Sequence, residues 1–547
     1  MKIWSFIKAE TDIPTSRVAL MATVSGLSNT LLLAIVNAAA DHASMAEGDR
    51  SVSTRLFLFF LITIVLYIYS QRYILRISNV EVERLVGRLR IRLADKIRRA
   101  DLGPLEGIGK GEIYTVVNRD TQTISQAASP MVIAFQSSIM ILFTIAYIAF
   151  LRIEAFVLTL VIVTAGVIIH FRLLGPMMAD HQAATKRENE FFGALTHVLE
   201  GFKEVKMHRP RSDDLNRSLR QIVDSAVALK ARTGRKFADH FVFSQTTIYV
   251  LIAAMVFLLP RLSADTYSDV VMRLTAAILF VVGPLSSLIG MIPTFTTANV
   301  AVANITELEE QLTRIAQEAR DRDENGAAPL DTFEEIRMES ARFCYRDAAN
   351  RPLFEVGPID FHVEKGALIF LVGGNGSGKS TFLKMLTALY YPEAGKITLD
   401  GEDVRDVGYV RYRSLFSAIF SDYHLFDRLF GLGDIPPERV SEMLEMMQLT
   451  EKTRFVDGRF VNQELSTGQR KRLALIVSML EDRPICVFDE WAADQDPAFR
   501  EFFYRELVPQ LRARGKTVIA ATHDDRYFDA ADRVVKMEAG KLVPYEA

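Results

Sequence analysis

The residues that most clearly indicate a chemical function form a glycine-rich stretch that ends in a lysine, a serine and a threonine. Its spacing is Gly373-x-x-x-x-Gly378-Lys379-Ser380. Glycines let the backbone curl so that successive N–H groups point inward and bind phosphate oxygens. The Lys379 ammonium can reach the β- and γ-phosphates of a nucleotide, and the Ser380 hydroxyl can ligate Mg²⁺. The stretch predicts an ATP and Mg²⁺ site whose binding residues are Gly373, Gly374, Asn375, Gly376, Ser377, Gly378, Lys379, Ser380 and Thr381.

The segments on either side of this loop are those that a phosphate loop requires. Leu368–Val372 is a short apolar run typical of a buried strand, and apolar residues recur after Thr381 with helical spacing. This order places the loop at a helix N-terminus, whose partial positive charge favours phosphate. A chance glycine turn is the alternative, and it would not need these flanking elements.

Two consecutive carboxylates follow a second apolar strand. The strand covers 484–488 and leads into Asp489 and Glu490. A carboxylate at a strand end beside a phosphate loop suits coordination of Mg²⁺, usually through water. The next carboxylate is placed to polarise the water that attacks the γ-phosphorus. We therefore assign Asp489 to the metal and Glu490 to catalysis.

The composition indicates a membrane part joined to a soluble part. The chain has 547 residues, of which 49% are hydrophobic and 24% charged, and this length exceeds one ordinary domain. The net charge of −3 argues against a nucleic-acid binder held by bulk electrostatics. The two cysteines, Cys344 and Cys486, lack metal-ligand spacing and suit a reducing compartment.

Six apolar segments in the first part of the chain are close to the length of about 20 residues that crosses hydrocarbon. Lys and Arg concentrate at the N-terminus and in the two long connections. This bias places both termini and both long connections in the cytoplasm. Buried helices of a soluble bundle are the alternative, disfavoured by segment length and loop asymmetry. The predicted spans are 18–40, 56–74, 131–151, 155–174, 241–260 and 270–292.

The pattern changes after a charged helix that continues the last predicted span. Residues 1–322 form the predicted transmembrane domain, 323–329 a linker with turn residues, and 330–547 a second domain. In the second domain short apolar strands alternate with helices, which is typical of a parallel α/β sheet. The fold class is an α-helical six-span domain fused to an α/β phosphate-loop nucleotide-binding domain.

Further motifs in the second domain resemble those of ATP-binding cassette proteins. Leu465-Ser-Thr-Gly-Gln469 resembles the signature motif, with Thr467 replacing one glycine. His523 resembles the switch histidine that contacts the γ-phosphate, and Tyr345 the aromatic residue that stacks on adenine. Asp496 matches the aspartate of the loop between two cassettes, although the residues before it, Ala493-Asp-Gln495, differ from the usual Ser-Ala-Leu.

The resemblance implies a catalytic group and a partner. Glu490, His523 and Lys379 are the implied catalytic residues. In this family the signature of one cassette caps the nucleotide of another, so Ser466, Gly468 and Gln469 complete a site only in a second copy. One cassette and six predicted spans per chain therefore imply a homodimer, a half-transporter resembling type IV exporters. An ordinary helix start is the alternative for Ser466, because serine is also a good N-cap.

One position departs from the family pattern at the predicted metal site. The family usually has a glutamine after the strand that precedes the helical subdomain, and it touches Mg²⁺. Here Ser421 stands in that place and Asp422 follows. The serine side chain is shorter, so water or Asp422 can take part of the glutamine's role. Both residues are therefore candidate metal-site residues.

The order of membrane domain and cassette resembles exporters, and the cassette is most similar to cyclic-peptide and peptide-siderophore exporters of the pyoverdine type. The resemblance implies ATP-driven export of a peptide-like siderophore, its precursor or a cyclic peptide across a bacterial inner membrane. It implies contact with membrane lipid, leaves periplasmic or outer-membrane export partners open, and implies no nucleic-acid partner. A lipid or multidrug exporter is the nearest alternative, and an ATP-gated channel or membrane sensor is one of another class.

Two polar stretches resemble the regions that couple the family's cassettes to its membrane helices. They are 103–120 and 201–217, and we expect Asp120 and Lys206 to lie near the cassette interface. The alternative is that these charges form a solvated helical face.

Overall fold

A computed structural model describes residues 2–10, 15–44, 50–262, 268–321, 328–347, 350–433 and 435–545. The chain divides into two compact units. The membrane unit comprises Met1–Asp95 and Lys110–Glu310, and the cassette unit comprises Lys96–Gly109 and Gln311–Ala547. Most of the predicted linker lies outside the described residues, and the predicted domain boundaries stay a prediction.

Long helices make up the first part of the chain. Several continue through the polar connections, as their helical patterning predicts; α3 alone has 50 residues. At 1.5 Å per residue such a helix is about 75 Å long, more than twice the thickness of the hydrocarbon core. In chain order the helices are α1 (Lys2–Glu10), α2 (Thr15–Ser44), α3 (Arg50–Arg99), α4 (Leu102–Ile108), α5 (Lys110–Tyr114), α6 (Thr121–Leu151), α7 (Ile153–Glu200), α8 (Phe202–Met207), α9 (Arg209–Ala253), α10 (Leu259–Leu262) and α11 (Ser268–Asp321), with π-helical turns at Thr115–Asp120 and Ala254–Leu258.

Five segments of the described chain are long and apolar enough to cross a membrane. They include the first, second, third, fifth and sixth predicted spans. The fourth corresponds to the shorter apolar segment Ile153–Ile169 at the start of α7. The six-span count is therefore not confirmed and stays a prediction. The five segments are Ser16–Ala40, Val52–Arg99, Lys110–Leu151, Arg209–Arg261 and Val270–Arg320.

Polar side chains inside the membrane unit link its helices. The Gln136 amide on α6 donates to the Gln71 Oε1 atom on α3 at 2.9 Å. The Asn37 amide on α2 donates to the Tyr147 hydroxyl on α6 at 3.2 Å. In an apolar environment such hydrogen bonds hold helices together, so these asparagine and glutamine residues have a structural role.

The cassette unit contains two main sheets. A six-stranded sheet has the order β12-β11-β3-β10-β9-β6 and is parallel except at its β12 edge. A four-stranded antiparallel sheet has the order β2-β1-β4-β5. The strands are β1 (Glu335–Arg346), β2 (Pro352–Glu364), β3 (Leu368–Val372), β4 (Ala394–Leu399), β5 (Glu402–Asp403), β6 (Phe416–Ile419), β7 (Phe455–Val456), β8 (Arg459–Phe460), β9 (Ile485–Asp489), β10 (Thr517–Ala521), β11 (Arg533–Glu538) and β12 (Lys541–Pro544).

Shorter helices cover the parallel sheet. Apolar side chains from the sheet and these helices form two buried clusters, as expected for an α/β layer. The helices are α12 (Lys379–Leu386), α13 (Val404–Val407), α14 (Tyr409–Arg413), α15 (Pro437–Met446), α16 (Thr467–Glu481), α17 (Pro497–Phe502) and α18 (Val508–Ala513).

Three central strands bring the predicted chemical residues to one edge. Every residue of β3, β9 and β10 is buried. In the parallel register Ala521 pairs with Leu371 on one side and with Asp489 on the other. The loops that follow all three strands therefore emerge side by side.

Candidate nucleotide site

The phosphate loop leaves β3 and ends at the start of α12, as its sequence predicts. Gly373, Gly376 and Gly378 have φ angles of +152°, +75° and +105°, which glycine tolerates far better than other residues. A Cβ atom on Gly373 would lie 2.3 Å from the Met537 carbonyl oxygen. The close approach of this backbone segment explains why glycine begins the loop.

The three predicted catalytic residues lie together. The Lys379 side chain is 4% exposed, and its Nζ atom is 3.1 Å from the Glu490 Oε1 atom. Lys379 Nζ also lies 3.1 Å from the His523 Nε2 atom and donates to the Gly373 carbonyl oxygen at 2.9 Å. His523 Nε2 is in turn 3.1 Å from Glu490 Oε1. A phosphate-binding cation, a carboxylate and an imidazole therefore share one small volume.

Electrostatics keep the Glu490 carboxylate ionised. Burial alone would raise its pKa, but hydrogen bonds and charge from Lys379 and His523 outweigh burial and hold the pKa of Glu490 below its ordinary value. An ionised carboxylate at neutral pH is the form that can accept a proton from water. This protonation state suits the role predicted for Glu490.

The surroundings of the Asp489 carboxylate fit a cation site. Asp489 is 1% exposed, and its Oδ2 atom accepts a long hydrogen bond of 3.4 Å from the Ser421 backbone N–H. Within the described ranges its Oδ1 atom has no hydrogen-bond partner. A buried carboxylate oxygen without a hydrogen-bond partner costs free energy unless a cation binds it. Mg²⁺ prefers oxygen ligands of this kind.

Ser421 and Asp422, the two candidate metal-site residues where the sequence departs from the family pattern, have different surroundings. Ser421 reaches Asp489 through its backbone N–H. The Asp422 carboxylate is 68% exposed and lies 3.6 Å from the Lys384 ammonium. Ser421 therefore lies beside Asp489, and the assignment of Ser421 or Asp422 to the metal site stays a prediction.

Tyr345 lies against the helix that follows the phosphate loop. Its hydroxyl is 3.2 Å from the Thr381 Oγ1 atom and donates to the Tyr390 hydroxyl at 3.4 Å. Its ring packs edge-on against Phe343, with centroids 5.1 Å apart. This places an aromatic residue beside the helix that follows the loop, and its stacking on adenine stays a prediction.

The signature residues form the N-terminus of α16. The Ser466 hydroxyl accepts from the Gln469 backbone N–H at 3.4 Å, and the Gln469 side chain accepts from the Ser466 backbone N–H at 3.1 Å. This is a capping box, so the ordinary helix-start interpretation of Ser466 is also satisfied. Ser466 is exposed and Gly468 half-buried, which leaves this helix end accessible.

Sequence reasoning missed two acidic residues that contact the cassette. The segment Lys96–Gly109 groups with the cassette unit. Asp101 accepts a hydrogen bond of 2.6 Å from the Tyr391 hydroxyl, and Glu106 accepts one of 2.6 Å from the Tyr390 hydroxyl. Burial, helped by Asp101, raises the pKa of Tyr391 to about 12. The sequence signal for this contact is the pair of adjacent tyrosines, Tyr390 and Tyr391, that follows α12.

The two charges expected near the cassette interface have different surroundings. Within the membrane unit, Asp120 accepts a hydrogen bond of 2.8 Å from the Asn304 amide. Lys206 is exposed in the short helix α8. Their predicted coupling roles stay predictions.

A phosphate loop, two consecutive carboxylates at a strand end and membrane-length helices define a membrane-associated phosphate-loop ATPase. The model of the ABC transporter transmembrane region matches residues 18–284, and the ABC transporter model matches residues 356–493. ATP-binding protein SyrD of Pseudomonas syringae pv. syringae is 34% identical over 473 residues, 84% of this chain and 82% of that protein. This chain belongs to the ATP-binding cassette transporter family, and it is an ATP-hydrolysing exporter.

More distant relatives share the same architecture. An ATP-dependent lipid A-core flippase of Idiomarina loihiensis is 23% identical over 484 residues, which cover 84% of this chain and 80% of the flippase. A bacterial Atm1-family ABC exporter solved with ATP bound has a TM-score of 0.76 at 17% identity, covering 97% of this chain and 95% of the other. The fusion of a transmembrane domain to a nucleotide-binding domain in a type IV exporter-like fold is thereby confirmed.

Proposed function

We propose that this protein is a homodimeric exporter that uses ATP and Mg²⁺ to move a peptide-like siderophore, its precursor or a cyclic peptide across a bacterial inner membrane. The observation that carries the dimer is the exposure of the signature residue Ser466, which lies outside the hydrogen-bonded cluster of catalytic residues. Lys379, Glu490 and His523 form one cluster, whereas Ser466 caps its own helix and stays exposed. In this family such an exposed signature completes the site of a second cassette.

Each site residue has a chemical task in this proposal. Lys379 neutralises charge on the β- and γ-phosphates, Ser380 and Asp489 hold Mg²⁺, and Glu490 orients the attacking water. His523 contacts the γ-phosphate and also holds the Glu490 carboxylate. Mg²⁺ supplies charge stabilisation when it is bound. Lys and Arg in the long connections support a cytoplasmic cassette and cytoplasmic termini.

Mixing two inactive variants tests the dimer. A mixed dimer of Lys379→Ala and Ser466→Arg chains has one site with both defects and one with neither. We expect each variant alone to be nearly inactive, and the mixed dimer, purified through two different tags, to regain about half of wild-type turnover if the sites act independently. Phosphate release measures the turnover of each dimer. A mixed dimer no more active than its parents would refute the shared site.

Two observations support different cargo classes. The cassette resembles peptide exporters, which favours a peptide-like cargo. The lipid A-core flippase relatives favour the alternative, a lipid cargo. The membrane unit contains a cavity of about 360 Å³, lined mainly by aliphatic side chains with Thr159, Ser244 and Thr247. This lining suits the apolar part of a cargo of either class.

Stimulated ATP hydrolysis distinguishes the cargo classes. We expect a peptide siderophore or its precursor to raise ATP turnover severalfold. A cargo that binds better when the cassettes are closed shifts the equilibrium between open and closed cassettes towards the closed state. A lipid A-type glycolipid and a hydrophobic drug should have smaller effects in the same detergent. The Glu490→Gln protein is the control for contaminating ATPases. Strongest stimulation by the glycolipid would favour a flippase, and ATP-dependent accumulation in vesicles would exclude a channel or sensor.

A further inference from the structure

A buried lysine joins the helix after the signature motif to the backbone of the catalytic carboxylate. Lys471 lies near the start of α16, and its side chain is 6% exposed. Its Nζ atom donates a hydrogen bond of 2.7 Å to the Glu490 carbonyl oxygen and pairs with the Asp494 carboxylate at 2.7 Å. The Trp491 indole donates to the Lys471 carbonyl oxygen at 2.8 Å. Lys471 therefore holds the loop that begins at Glu490 through both its side chain and its backbone.

Glu490 needs such support because its backbone conformation is unfavourable. Its φ angle is +52°, a left-handed conformation that non-glycine residues rarely adopt. Its N–H donates to the Ala521 carbonyl oxygen at 3.1 Å, so β10 fixes one side of the residue and Lys471 fixes the other. The direction of the Glu490 carboxylate depends on both contacts.

The same loop is clamped to the first turn of α16. A Cβ atom on Gly468 would lie 2.7 Å from the Asp494 carbonyl oxygen, so the two backbones are in close contact. The Gln495 amide also donates to the Gly468 carbonyl oxygen at 3.1 Å. The first turn of α16 and the loop that carries Glu490 are therefore in direct backbone contact.

Two residues in these contacts depart from the family pattern. Asp494 and Gln495 stand where the resemblance predicts alanine and leucine, which could make neither the ion pair nor the hydrogen bond. A buried ammonium requires a partner, and Asp494 supplies it. The departures and Lys471 form one polar network between the signature helix and the catalytic loop.

We propose that Lys471 is a positioning residue for the Glu490 of its own chain. It connects α16, whose N-terminus caps the nucleotide of the partner chain, to Glu490, which acts on the nucleotide bound by its own chain. This inference rests on the proposed homodimer, and it makes the effect of a Lys471 substitution depend on which chain carries it.

Mixed dimers that contain one Lys379→Ala chain provide the test, because only the Glu490 of the other chain then turns over ATP. Lys471→Met removes the donor and keeps an unbranched side chain. On the chain with the intact phosphate loop, it should lower kcat about tenfold and leave the KM for ATP within about twofold, since a misplaced base slows chemistry without weakening binding. On the Lys379→Ala chain, it should change kcat by less than about twofold.

The controls separate this inference from the dimer itself. A mixed dimer of one Lys379→Ala chain and one unaltered chain gives the reference kcat for both placements. Failure of the two differently tagged chains to purify together would refute the dimer rather than the role of Lys471. A loss confined to placement on the Lys379→Ala chain would overturn the inference, because Lys471 would then only shape the signature helix that caps the active site. Equal losses from the two placements would overturn it too, because the effect would not be specific to the Glu490 of the same chain. No loss from either placement would overturn it as well. If Lys471→Met fails to fold, Lys471→Leu carries the same comparison.

Discussion

Glu490→Gln should lower ATP turnover by at least about 100-fold and leave ATP affinity within about twofold, because general bases contribute about 10²- to 10⁴-fold to rate. The amide keeps the size of the side chain and its contact with His523 but cannot accept a proton. It also loses the ion pair with Lys379, which lies 3.1 Å away. Binding should survive, since Lys379 and the loop N–H groups hold the phosphates.

Phosphate release and binding of a fluorescent ATP analogue measure the two effects separately. If hydrolysis is the step that opens the dimer, Glu490→Gln protein with ATP should also elute as a dimer during gel filtration in detergent. Glu506, which is exposed and outside the site, provides a matched control in Glu506→Gln. Undiminished turnover in Glu490→Gln protein would mean that another group activates the water.

The phosphate loop could be predicted because its signals are local. Strand, glycines and lysine lie within a dozen residues, and the positive φ angles of Gly376 and Gly378 are ones that glycine adopts readily. Short apolar runs also predicted two of the parallel strands, β3 and β9. Parallel strands expose their carboxyl ends at one edge, and the register of β3, β10 and β9 explains why Lys379, Glu490 and His523 lie together.

Contacts between distant segments could not be predicted. Glu106 and Tyr390 are separated by 284 positions, and no local pattern pairs them. Lys471 stands in a run of basic residues at the start of a helix, which ordinarily indicates a solvated face. It is buried because the Glu490 carbonyl oxygen and the Asp494 carboxylate supply partners, and neither partner is a helical neighbour.

Membrane span length was the weakest sequence signal. The fourth predicted span, 155–174, becomes one end of the 48-residue helix α7, and its apolar described part ends at Ile169. Hydropathy identifies where a chain can cross a bilayer but does not say where a continuous helix leaves it. The number of crossings therefore depends on this helix.

Lys379→Ala should weaken ATP binding itself, by about 30- to 100-fold, which corresponds to about 2–3 kcal/mol for one charge-assisted contact. The Lys379 ammonium is almost fully buried and lies between the Gly373 carbonyl oxygen and Glu490. Water cannot replace this charge at the phosphates as effectively, because the Lys379 side chain is only 4% exposed and charge interactions are stronger where solvent is excluded. Turnover should fall at least as far as affinity.

The contrast with Glu490→Gln makes Lys379→Ala informative. A binding assay at several ATP concentrations should show a weaker Kd for Lys379→Ala and an unchanged Kd for Glu490→Gln. Lys396→Ala is the matched control, because Lys396 is partly exposed and pairs with Glu339 at 3.1 Å outside the site. If Lys379→Ala bound ATP normally, the phosphates would have to be held elsewhere. The nearby positions of Lys379, Glu490 and His523 would then be structural, and the assignment of the site would fail.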